Sequence, residues 1–154
     1  GALPDSTLRA IRVGQVRRVV CASPEYLKRH GAPKTPPDLA RHTLIAASAV
    51  SAGTEWGFAK GKEKLSVRVD PRLRVNTNDG ALEAAKNGFG LTRLISYQVA
   101  NEVAAGTLRT VLTGYEEAAL PVHVIHREGR LGSAKVRSFV DLAVDRLRAD
   151  PALQ

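Results

Sequence analysis

Residues 76–94 read NTNDGALEAAKNGFGLTRL, and they pack a strand exit, a polar loop, a helix and a second strand into a short span. Just upstream, Leu73 and Val75 alternate with Arg72 and Arg74, the period-two pattern of a half-buried strand. The pattern breaks at Asn76. Asp79 is a good N-cap, Gly80 tolerates tight loop geometry, and Leu82, Ala85 and Phe89 follow at helical spacing. Gly88 then stops the helix as a left-handed C-terminal cap, and Leu91, Leu94 and Ile95 restart an apolar run. The reading is strand, helix, strand. In such units ligands tend to sit where strand carboxyl ends meet helix amino ends, because unpaired backbone N–H groups and the helix dipole favour an anion there. Asn76, Thr77 and Asn78 occupy that place, and Ser48 and Ser51 supply hydroxyls from a second polar loop. The same residue types shape turns and cap helices in most proteins, and on spacing alone that plainer role prevails.

Working outward, strands and helices alternate along the whole chain. Leu8, Ile11 and Val13 suggest a first strand, and residues 16–22 a buried one, closed by a helix start with Ser23 as N-cap, Pro24 in the first turn and Glu25 at the positive dipole end. Gly31 ends that helix. Thr35 and Asp38 have the spacing of a capping box. Residues 44–47 read as a short strand, Trp56 with Phe58 and then Leu65, Val67 and Val69 as two more, and Pro71 as an edge or bend. After the central unit, Ser96 can cap a helix carrying Val99, Val103 and Ala104. Leu108, Val111 and Leu112, then Val122 and Val124, read as strands. Ser133 is placed to cap a last helix with Val136, Phe139, Val140, Ala143, Val144 and Leu147 on one face. The expected class is α/β with at least partly parallel sheets.

Composition bounds the function. A chain of 154 residues with 44% hydrophobic content suits one domain or two small lobes. The formal charge of +8 raises nucleic acid, anionic lipid or an acidic ligand as partners, but the basic residues are spread out and aromatic content is 5%, so nucleic-acid contact by this chain is not expected. Cys21 is the single cysteine, which excludes an internal disulfide. Its apolar neighbours make it a buried structural thiol and fit a reducing compartment. No run reaches the length of a membrane helix and the start lacks a secretory pattern, so the expectation is a soluble, cytoplasmic protein without membrane contact.

Catalytic and metal chemistry find no foothold. His123 and His126 are three apart on a strand and point to opposite faces, and His30, His42 and Cys21 lie elsewhere, so no metal set forms. Glu116 and Glu117 read as ordinary surface rather than an acid–base pair. Gly88-Phe89-Gly90 is only a fragment of a dinucleotide fingerprint, and there is no phosphate-binding loop or nucleophile elbow. No cofactor and no enzyme are expected.

Taken together, the order of features resembles the C-terminal effector-binding domain of LysR-type transcriptional regulators. The pieces that carry the resemblance are VRRVVCASPEYLKRHGAPKTPPDLARHTLI, the pair Trp56 and Phe58, LRVNTNDGALEAAKNGFGLTRL, AAGTLRTVL and LPVHVIHREGRLGSAKVRSFVDLAVDRL, in that order. The resemblance implies a two-lobe fold like that of periplasmic binding proteins, with residues 43–120 as the second lobe and residues 1–42 and 121–154 as part of an incomplete first lobe. It implies a small effector, anionic by the argument above, held between the lobes by Asn76, Thr77, Asn78, Ser48 and Ser51. DNA would be met only through an N-terminal helix-turn-helix absent from this chain. Ile95 and Gly132 depart from the family's pattern, which often has proline there. Strands deprived of first-lobe neighbours would leave open edges, from which self-association as a dimer or higher is expected. A solute-binding protein for transport shares the fold and is the alternative.

Overall fold

The computed structural model describes residues 8–47, 55–127 and 134–154. The chain divides into two compact units, residues 17–118 and residues 1–16 with 119–154. The larger unit thus begins at Arg17, ahead of residue 43, where the second lobe was expected to start. The reason is strand pairing: the segment before residue 43 supplies a strand that hydrogen-bonds on both sides within the larger unit.

The larger unit is built on five strands, β2 (Arg18–Ala22), β3 (Leu44–Ala47), β6 (Leu73–Val75), β7 (Leu91–Ile95) and β8 (Arg109–Val111), in the order β6-β3-β7-β2-β8. β3 runs parallel to β6 and β7, whereas β2 runs antiparallel to β7 and β8. Side chains of β2 alternate between two cores. Val20 and Ala22 join Tyr26, Leu39, Trp56, Phe58 and Leu91 on one face, and Val19 and Cys21 join Ile45, Ala81, Ala85, Leu94 and Val99 on the other. The first face is covered by α1 (Pro24–His30) and the hairpin of β4 (Glu55–Lys60) with β5 (Glu63–Arg68). The second is covered by α2 (Asn78–Lys86) and α3 (Ser96–Ala104). A strand buried on both faces reads as a continuous apolar run, which is why VVCA shows no alternation.

Several local signals hold. Ser23 caps α1, its Oγ accepting from Tyr26 N at 3.2 Å, and Gly31 ends it at φ +78°. Asp38 accepts from the N–H groups of Lys34 and Thr35 at the start of the 3-10 turn Pro36–Arg41, which draws its carboxyl down to about 2, helped by Arg41. Others move. The expected strand over residues 16–22 is two strands broken at Arg17, Val16 belonging to β1 (Leu8–Val16). The α2 N-cap is Thr77 rather than Asp79: Thr77 has extended φ and ψ and its Oγ1 accepts from Gly80 N at 3.1 Å, while Asp79 is already in the first turn. Phe89 lies past the end of α2 and is 45% exposed, because Gly88 at φ +74° has turned the chain away.

The smaller unit pairs β1 antiparallel with β9 (Leu120–Arg127), Val16 facing Leu120, and packs α4 (Ala134–Arg148) on them through Val13, Val140, Val144 and Leu147. The expected apolar face of α4 is only partly buried. Phe139 is 70% exposed and Val136 and Leu142 are also exposed, because the inward stripe runs through Val140, Val144 and Leu147, and Phe139 lies to one side of it. Ser133 lies outside the described residues. Among those described, no helix is long and apolar enough to cross a membrane and no cluster of His, Cys, Asp or Glu has metal-binding geometry.

Cys21 tests the two-sided burial. It is fully buried on β2, and its thiol is pushed up to about 12, first by loss of water and then by the charge of Glu102. An aromatic disulfide reagent at neutral pH is expected to leave Cys21 unlabelled in the folded chain and to label it in denaturant. Rapid labelling of the folded chain would contradict this placement.

Candidate functional site

The parallel strands β3, β6 and β7 deliver their carboxyl ends to one edge of the five-stranded sheet, and α2 and α3 start there. Ala47 and Val75 are register partners, so β3 ends beside the end of β6. Ser48 and Ser51 lie outside the described residues. Asn76 and Thr77 are exposed at this edge and Asn78 opens α2. In the first turn Gly80 N is bound by Thr77 Oγ1 and Ala81 N by the Thr77 carbonyl at 3.4 Å. Among the described residues the N–H groups of Asn78 and Asp79 therefore remain for another acceptor. The Asn78 side-chain Oδ1 is buried with no partner among the described residues. An amide turned over presents N–H at the same place, so Asn78 can meet a donor or an acceptor. The Asp79 carboxylate in the same turn disfavours a second negative charge beside it.

The edge also carries charge that the sequence reading passed over. Arg17 and Arg18 begin the larger unit and Glu116 and Glu117 lie near its end, and they meet as two pairs. Arg17 Nε stands 3.3 Å from Glu116 Oε2, and Arg18 Nη1 stands 3.5 Å from Glu117 Oε2. Glu117 is thus not ordinary surface, because it also accepts from Arg93 Nη2 at 2.7 Å. Arg93, on β7, is only 8% exposed. It donates as well to the Gly57 carbonyl at 2.8 Å and lies over the Phe58 ring, 5.5 Å from its centre. Burial lowers the Arg93 pKa, and the Glu117 charge offsets only part of that. Burial likewise pushes the Glu116 carboxyl up, against the pull of Arg17. The signal was present: a lone arginine inside the apolar strand LTRLI needs a counter-ion, and the dipeptides RR and EE are complementary. His123 and His126 lie on β9, in the smaller unit.

Removing one member of the Arg93 pair tests its role. Glu117→Ala is expected to lower stability by about 2 kcal/mol, since it strands a buried guanidinium, and Arg93→Met by less, since no charge is left behind. Urea midpoints check this. A larger loss for Arg93→Met would contradict it.

The arrangement has known counterparts. The family model described as LysR substrate binding domain matches residues 1–148. An HTH-type transcriptional regulator of Xanthomonas campestris pv. campestris is 33% identical over 97% of this chain and 45% of its own length. The HTH-type transcriptional activator AaeR of Escherichia coli is 31% identical over 94% of this chain and 47% of its own. The chain spans about half the length of the curated relatives it matches. Among solved structures, the regulatory domain of CrgA from Neisseria meningitidis has 26% identity and a TM-score of 0.78 over 96% of this chain and 72% of that one. The regulatory domain of AphB from Vibrio vulnificus shares the fold, with a TM-score of 0.82 and 24% identity over 93% of this chain and 71% of that one. These relatives are transcriptional regulators rather than transport proteins, and by its sequence and its fold this chain belongs to the LysR substrate-binding domain family.

Proposed function

We propose that the chain is the sensing part of a cytoplasmic, non-enzymatic regulator that recognises a small anionic effector, a carboxylate in the simplest case, at the carboxyl edge of the five-stranded sheet. The observation that carries this reading is the start of α2, where two backbone N–H groups have no acceptor among the described residues, beside the Asn78 Oδ1 that likewise has no partner there. Asn76, Thr77 and Asn78 make the contacts, and Ser48 and Ser51 contribute from the segment that follows β3. The larger unit serves as the second lobe and the smaller one as part of the first. In the intact regulator an effector that prefers one conformation shifts the balance of states, and a DNA-binding helix-turn-helix outside this chain reads the shift.

Calorimetry of the intact regulator with small carboxylic acids and their uncharged amides tests the site. Thr77→Ala and Asn76→Ala are each expected to weaken the acid that binds by about tenfold, the worth of one hydrogen bond to a charged group. Equal affinity for acid and amide, or unchanged affinity in both variants, would remove the site.

Self-association belongs to the same proposal. The exposed Phe139 and Leu142 on α4 form an apolar strip that a second copy would cover. Light scattering over a dilution series is expected to show a dimer or larger species that Phe139→Asp disperses. A monomer at every concentration would overturn it.

A further inference from the structure

A groove of about 430 Å³ lies between α3, β8 and the start of β2; Asn76, Thr77 and Asn78 are not among its lining residues, which all belong to the larger unit. Its size is in the range of small-molecule sites. Along α3 its lining passes from a polar end, where Ser96 meets the Arg17–Glu116 pair, to a more apolar end at Val99 and Val103; Thr110 and Thr113 also line it.

The polar end has more donors than the protein uses. Arg17 meets Glu116 through Nε at 3.3 Å and its side chain is 50% exposed, so a guanidinium with five N–H groups faces one carboxylate and solvent. Ser96 Oγ accepts from Arg17 N at 3.1 Å, which leaves its O–H to donate elsewhere. The Thr113 hydroxyl has no hydrogen bond to any other described residue. Ser96 N donates to the Arg17 carbonyl at 2.8 Å, so the backbones of Arg17 and Ser96 are bonded in both directions and the donors sit on a fixed frame. The Glu116 side chain is 18% exposed and is the one carboxylate among the groove's described residues. It cannot satisfy all these groups.

We propose that this groove is a second ligand site, separate from the α2 N-terminus, for a small amphiphilic monocarboxylate. Its carboxylate pairs with the outer edge of the Arg17 guanidinium and accepts from Ser96 and Thr113, and its hydrocarbon part lies along Val99 and Val103. A carboxylate is favoured over a phosphate because Glu116 stands within the same polar end and opposes a dianion.

Octanoate, octanol and octylamine, titrated into the full 154-residue chain by calorimetry, are the probes. Octanoate is expected to bind saturably, octanol and octylamine at least about tenfold more weakly. Arg17→Gln should weaken octanoate by about tenfold through loss of the charge, and Val103→Trp should do so by filling the apolar end without touching the ion pair. Thr77→Ala should leave octanoate binding unchanged, which keeps this site distinct from the proposed effector site and lets either fail alone. Amide shifts of the unaltered chain, centred on Ser96, Val99 and Thr113, give a readout that needs no variant to fold. No saturable binding, equal binding of octanol, full affinity in folded Arg17→Gln, loss in Thr77→Ala, or shifts centred on residues 76–79 would each overturn the proposal.

Discussion

Everything in the larger unit depends on β7 being paired on both edges and covered on both faces. It lies at the centre of the sheet, parallel to β3 on one side and antiparallel to β2 on the other. Its fit is tight. Leu91 N donates to the Thr43 carbonyl at 2.9 Å, and the Thr92 hydroxyl donates to the Ile45 carbonyl at 3.2 Å. A side chain at Gly90 would overlap the backbone of Thr43, so only glycine lets the chain enter β3's flank. Leu91 fills one core and Leu94 the other, and Arg93 reaches out to the hairpin through Gly57. The strand thereby positions the carboxyl edge from which α2 and α3 start.

The charge pairs of the larger unit differ in weight. Exposed pairs such as Arg29 with Glu25 contribute little, because water screens them and two long side chains lose freedom. Arg93 is another matter, since its guanidinium has been taken out of water and, among the described residues, Glu117, Gly57 and the Phe58 ring replace it. Glu117 leans against Gly57 so closely that a Cβ there would stand 2.7 Å from Oε1. Glycine in β4 is a weakness for a strand, and here it makes room for a carboxylate.

The sequence made much of this architecture legible. Apolar runs located β2, β3 and β7, the Ser23-Pro24-Glu25 start located α1, and the family resemblance agreed with the match over residues 1–148. What it hid was non-local. Thr77 and Asp79 are both good caps, and the choice depends on which of them is extended, a matter of how β6 leaves the sheet. Periodicity placed Phe139 with Val140 because both fall within a broad apolar arc, but only the packing of α4 on β1 decides where that arc meets the core. Of the candidate site, Asn76, Thr77 and Asn78 do lie at a strand-to-helix edge, as their spacing implied. The Arg–Glu pairs span some hundred residues of chain, and no local pattern reports a partner at that distance.

The central position of β7 also sets the order in which the sheet can be made. β2 and β3, the first two strands of this sheet to leave a ribosome, are not neighbours, and each has β7 as a partner. β2's other partner, β8, comes later still, at Arg109–Val111. Until residue 95 has emerged, Val19 to Ala22 is therefore an apolar strand with two open edges. Loops of this length must close before the pairing that stabilises them forms, which makes folding slow for the size of the unit. During that interval a strand that ends up buried on both faces is the segment of the nascent chain most in need of a chaperone.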